Sequence, residues 1–64
     1  MSKENPSMTT VIYKLRSDPE NLIRVYNVDS VFVWQESIMV SYYLKGECAF
    51  ISLLMADISF FNVV

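Results

Sequence analysis

From Leu22 onward the chain is a succession of short β-branched and aromatic runs, LIRVYNV, VFVW, IMVSYYL, CAFISL and ISFFNVV, separated by polar breaks of only a few residues. Such composition favours strands over helices. The breaks, Asp29-Ser30, Gln35-Glu36-Ser37, Lys45-Gly46-Glu47 and Met55-Ala56-Asp57, have hairpin length, which implies antiparallel neighbours. The sharpest is Lys45-Gly46-Glu47, where the single glycine of the chain supplies the positive φ that a tight hairpin needs. A hairpin pairing Ile38–Leu44 with Cys48–Leu53 is the expectation, and Ile58 is expected to open the last strand behind a turn made by Asp57.

Upstream, Thr9–Arg16 (TTVIYKLR) alternates, with Val11, Tyr13 and Leu15 on one face and Thr10, Lys14 and Arg16 on the other, Ile12 being the exception. This is the pattern of a half-buried strand. Ser17-Asp18-Pro19-Glu20-Asn21 is rich in turn formers and could open a helical turn, but no helical run follows it. Residues 1–8 read as a flexible polar leader without the apolar stretch of a secretory signal. Residues 9–64 then form one small β domain, with no linker, repeat or low-complexity segment.

Counting faces shows a surplus of apolar side chains. Ile38, Val40, Tyr42 and Leu44 oppose Met39, Ser41 and Tyr43, while Val31 and Val33 oppose Phe32 and Trp34. In the last run, Ile58, Phe60 and Val64 oppose Phe61 and Val63. A sheet with one wet face shows cleaner alternation. Two architectures resolve this: a strongly curved, barrel-like meander, or a sheet whose second face is covered by another subunit. The fold class expected is therefore mainly β, a single-domain antiparallel meander or barrel-like sheet of five or six short strands with little or no helix. Apolar residues make up 53% of a 64-residue chain, and a domain this short buries only roughly 60% of its unfolded surface. Some apolar surface should then face a partner, and an identical copy is the simplest one.

The same sequence excludes most chemistry. It has no histidine, hence no imidazole base or ligand, and one glycine cannot make a phosphate-cradling loop. Asp18, Glu20, Asp29 and Glu36 are scattered over separate breaks, and Glu47 and Asp57 fall at turns, which suits solvated residues better than a carboxylate cage or an acid pair. No catalytic residue, metal or cofactor is expected. Cys48 has no CxxC partner or histidine to activate it and reads as a small buried hydrophobe in a reducing, cytoplasmic setting. A net charge of −2 does not favour backbone-driven nucleic-acid binding. Cys48–Val64 carries one charge, Asp57, in 17 residues; that is the short limit for a membrane helix, and a central aspartate costs about 3 kcal/mol on insertion scales.

The aromatics remain: one Trp, four Tyr and four Phe. Large amphipathic rings are the usual anchors of protein interfaces, and Phe32, Trp34, Met39, Tyr43, Phe61 and Val63 are the candidate interface residues. The expected function is a non-enzymatic interaction module, self-associating through an apolar sheet face and acting on another protein as an accessory or inhibitor. Its size alone suits the small products of a phage or mobile element. The alternative reading is a single-stranded nucleic-acid binder stacking bases on exposed rings, and a short membrane-associated peptide is the least favoured. No run of the sequence carries a motif specific enough to assign a family.

Overall fold

In the computed structural model residues 9–64 are described, and the expected leader over residues 1–8 lies outside them. Five strands form one antiparallel sheet: β1 (Thr9–Leu15), β2 (Asp18–Trp34), β3 (Ser37–Leu44), β4 (Glu47–Leu54) and β5 (Ile58–Val63). A 3-10 turn over Met55–Asp57 is the only helical element among the described residues. The strand order is β4-β3-β2-β1-β5, and the sheet is not closed.

The first four strands form the expected meander. Leu15 pairs with Asp18, Trp34 with Ser37 and Leu44 with Glu47, which leaves the two-residue loops Arg16-Ser17, Gln35-Glu36 and Lys45-Gly46. The hairpin of β3 and β4 keeps unbroken register from Ser37–Leu54 to Leu44–Glu47. Its loop has φ +55° at Lys45 and +82° at Gly46, two successive positive values that suit the right-handed twist of the flanking strands.

Three local expectations need correction. Asp29-Ser30 does not separate two strands, because β2 runs through it for 17 residues. What lies there is a corner. Opposite β1 the register shifts between Thr9–Val28 and Val11–Val25, which leaves Tyr26 and Asn27 facing Thr10. Opposite β3 it shifts again between Val28–Tyr42 and Ser30–Ser41. Asn27 takes φ +58°, a conformation that asparagine tolerates better than most residues. Extra residues of this kind bend a strand and sharpen its twist, so β2 pairs with β1 before the corner and with β3 after it.

The turn-rich segment Ser17–Asn21 is likewise mostly strand, with β2 starting at Asp18. Proline is accepted there because the ladder lapses between Asp18–Leu15 and Ile23–Tyr13, so no N–H is required of it. Finally, β5 does not lie beside β4 despite the short break between them. It crosses to the other edge and pairs with β1, with Tyr13 opposite Phe61.

That crossing dictates the shape. Four strand spacings of about 4.8 Å would set β4 and β5 roughly 19 Å apart in a flat sheet. A three-residue 3-10 turn advances only about 2 Å per residue. The sheet must therefore curl until its ends meet the link. The link is tied at both sides: Met55 N donates to Glu36 O at 2.9 Å and Arg16 N donates to Asp57 O at 2.8 Å, while Arg16 Nε donates to Ala56 O at 2.8 Å.

Inside the curl lie Val11, Tyr13, Val28, Ile38 and Val40, with Leu15, Ile23, Val25, Val31, Tyr42, Ile51, Leu53, Ile58 and Phe61 packed partly buried around them. The faces expected for β1 and β3 hold, but Ile58 and Phe61 do not oppose each other. A register shift between Lys14–Phe60 and Leu15–Ile58 brings both to the inner side.

Two measurements follow from this fold. Gly46→Ala should destabilise by about 1 kcal/mol, entirely through backbone conformation, since nothing lies within 4 Å of the added Cβ; Lys45→Asn should stabilise by a few tenths, as an Asn-Gly pair suits this turn. Urea unfolding read by circular dichroism checks both. In the core, Val40→Ala, at a fully buried site, should cost about 2 kcal/mol through lost burial and the cavity left behind.

Candidate interaction surface

Residues paired across antiparallel strands share a face, so the ladder fixes what the outside of the curl displays. Beyond the corner, the outer face of β2, β3 and β4 is built of three cross-strand rows: Trp34–Ser37–Leu54, Phe32–Met39–Ser52 and Ser30–Ser41–Phe50, with Tyr43–Cys48 at the far end. None of these side chains carries a charge. Phe32, Trp34, Tyr43, Phe50 and Leu54 are exposed, Trp34 at 60% and Phe50 at 64% of their full surface. The polar members are small hydroxyls, and the buried one, Ser41, is satisfied by Ser30 at 2.7 Å between Oγ atoms. Bulky and small side chains alternate along β3 (Ser37, Met39, Ser41, Tyr43) and β4 (Cys48, Phe50, Ser52, Leu54), while Phe32 and Trp34 follow one another on β2.

The other half of the outside differs in charge. Across β1, β2 before the corner, and β5, the rows are Arg24–Ile12–Asn62 and Lys14–Phe60. The Lys14 ammonium sits 5.9 Å from the centroid of the Phe60 ring, a cation–π contact that covers part of the aromatic surface. Charge and apolar surface are thus segregated between the two halves of one sheet.

Of the six candidate interface residues, Phe32, Trp34, Met39 and Tyr43 come together on the uncharged patch. Phe61 and Val63 lie elsewhere: Phe61 faces the core beside Tyr13, and Val63 pairs with Val11 at 47% exposure on the opposite side of the sheet. Phe50 and Leu54 belong to the patch and were not singled out from the sequence. Their signal is the strict alternation of Cys48, Phe50, Ser52 and Leu54 against Ala49, Ile51 and Leu53, which the burial of β4 follows. Cys48 is also corrected, since its thiol is exposed on the edge strand, where outward positions have no covering layer among the described residues.

A second feature lies at the corner. A cleft of about 430 Å³ opens between the two halves of the sheet, lined by Tyr13, Arg24, Tyr26, Asn27, Tyr42 and Tyr43, with Val25, Leu44 and Ile51 completing its wall. All four tyrosines of the chain converge on it. Among the described residues no group of three or more His, Cys, Asp or Glu side chains forms a metal cage, and no helix is long and apolar enough to cross a membrane. The run Cys48–Val64 is distributed over β4, the 3-10 turn and β5. Comparison of the chain with protein-family models, curated proteins and solved structures gave no match.

The two surfaces are separable by mutation. Phe50→Ser and Trp34→Ser should change unfolding free energy by less than about 0.5 kcal/mol at concentrations where the protein is monomeric, whereas Phe61→Ser should cost about 3 kcal/mol because it empties part of the core; denaturant titrations of the three variants compare them directly.

Proposed function

We propose that the protein is a non-enzymatic interaction module that self-associates, one copy against another, through the uncharged outer face of β2, β3 and β4. The observation that carries this reading is the absence of any charged side chain from the three cross-strand rows of the patch and the Tyr43–Cys48 pair at its end. Two identical charged faces repel each other when they meet, but two neutral ones do not. A two-fold contact brings a surface against itself, and the serines between Trp34 and Leu54 across the sheet and between Phe50 and Leu54 along β4 offer hollows to the rings of the other copy. Burying exposed rings supplies the driving force, at about 25 cal/mol per Å². The pair then presents its hairpin loops to a further protein, in an accessory or inhibitory role. A reducing, cytoplasmic setting suits a chain whose lone thiol, Cys48, borders the contact face.

The charge distribution also weighs against single-stranded nucleic acid on this patch. Stacking platforms are flanked by a basic groove, whereas Lys14 and Arg24 lie on the other half of the outer face.

Light scattering over a dilution series from about 100 to about 1 μM tests the proposal. The expected result is a dimer of the 7.4 kDa chain, insensitive to salt, that Trp34→Lys and Phe50→Lys each convert to a monomer with unchanged strand-type circular dichroism. A monomer at the highest concentration, or a dimer indifferent to both lysines, overturns it.

A further inference from the structure

The cleft at the corner of β2 is independent of the self-association face, apart from Tyr43 at its rim. We propose that it is a binding site for a small planar aromatic anion. Its volume of about 430 Å³ falls in the range of small-molecule sites, which are concave, largely apolar and furnished with a few convergent polar groups. Here the residues with polar side chains are four tyrosines, one arginine and one asparagine; Arg24, paired with Ile12, and Tyr43, paired with Cys48, border the cleft from the outer face of the sheet. Phenol rings provide faces for stacking a flat ring, and their hydroxyls, like the guanidinium, donate hydrogen bonds.

The charge of the ligand follows from the wall. Arg24 is the one cation in the lining, and no carboxylate accompanies it. None of the side-chain hydrogen bonds among the described residues involves Arg24 or any of the four tyrosines. A carboxylate or phosphate is the partner that a guanidinium fork matches best. Val25, Leu44 and Ile51 supply aliphatic wall for the uncharged edge of a ring.

The backbone gives the cleft its opening. Tyr26 and Asn27 have no partner in either ladder, and Asn27 holds φ +58°. Such bulges re-aim side chains and recur beside binding sites. The same two residues that bend β2 also line the cleft, so the corner that folds the sheet furnishes the site.

Isothermal titration with indole-3-carboxylate and adenosine monophosphate, each beside its neutral counterpart, indole-3-carboxamide and adenosine, tests the inference. At least one anion should bind saturably, one per protomer whatever the oligomeric state. Its dissociation constant should be at least about tenfold below that of the neutral compound, and Arg24→Gln should abolish this ratio while leaving circular dichroism unchanged. Whether the carboxylate or the phosphate binds more tightly identifies the anion. Amide chemical shifts should move at Tyr26, Asn27 and Tyr42 and stay fixed at Trp34. Absence of saturation by either anion up to about 5 mM, equal affinity for charged and neutral partners, an unaltered ratio in Arg24→Gln, or shifts centred on Trp34 would each overturn it.

Discussion

Three residues, Met55–Asp57, connect the two strands that stand at opposite ends of the sheet order, and the shape of the molecule depends on that short link. Because the link cannot span a flat sheet, the strands curl, and curling gives the inner side chains something to pack against. A single sheet has only one layer, yet it needs a second to exclude water. Here the two halves of the same sheet serve as each other's second layer. The link is held by backbone hydrogen bonds to the two hairpin loops flanking β2, at Arg16 and Glu36, so loops distant in sequence fix the curl together. The Arg16 side chain adds a third bond, to Ala56 O.

The second determinant is the corner in β2. A straight 17-residue strand would reach about 55 Å, far longer than β1 or β3. The extra residues at Tyr26-Asn27 and Asp29 let one strand belong to both halves and change direction between them. Curling encloses few side chains, because the chain is short and a small domain has a high ratio of surface to volume. Among the described residues the outer apolar side chains find no cover. On the half near β5, Lys14 and Phe60 cover one another in part; on the half near β4 no such contact occurs among the described residues.

Much of this was legible in the chain. Alternation in Thr9–Arg16 revealed which side of β1 is buried, and the sole glycine located the hairpin of β3 and β4. Local signals could say less about β2, because Asp29-Ser30 looks the same in sequence whether it ends a strand or kinks one. The distinction rests on pairing with both β1 and β3, a non-local property. The destination of β5 was equally hidden, since a short break normally returns a strand to its neighbour, and only closure of the whole sheet makes the far edge the nearer one. For the interface, Phe32, Trp34, Met39 and Tyr43 could be grouped by parity within their own strands. Phe61 and Val63 could not be assigned to the same or the opposite side without knowing how β5 pairs, and the register shift at Leu15 then reverses the relation of Phe61 to Ile58. The tyrosine cleft drew no signal, as its residues come from four strands and meet only around the corner.

The curl also fixes where the described chain enters and leaves. Thr10 and Val64 exchange backbone hydrogen bonds, at 3.2 and 2.8 Å, with β1 and β5 antiparallel. Any polypeptide joined before Thr9 and any joined after Val64 therefore depart from one spot, on the same side of the fold. Tension applied through both ends would act across the β1–β5 ladder like a zip, opening one pair at a time instead of shearing all together. The domain can thus be thermodynamically sound and still yield to a small force, peeling β5 away first and leaving the meander of the other four strands without its closing edge.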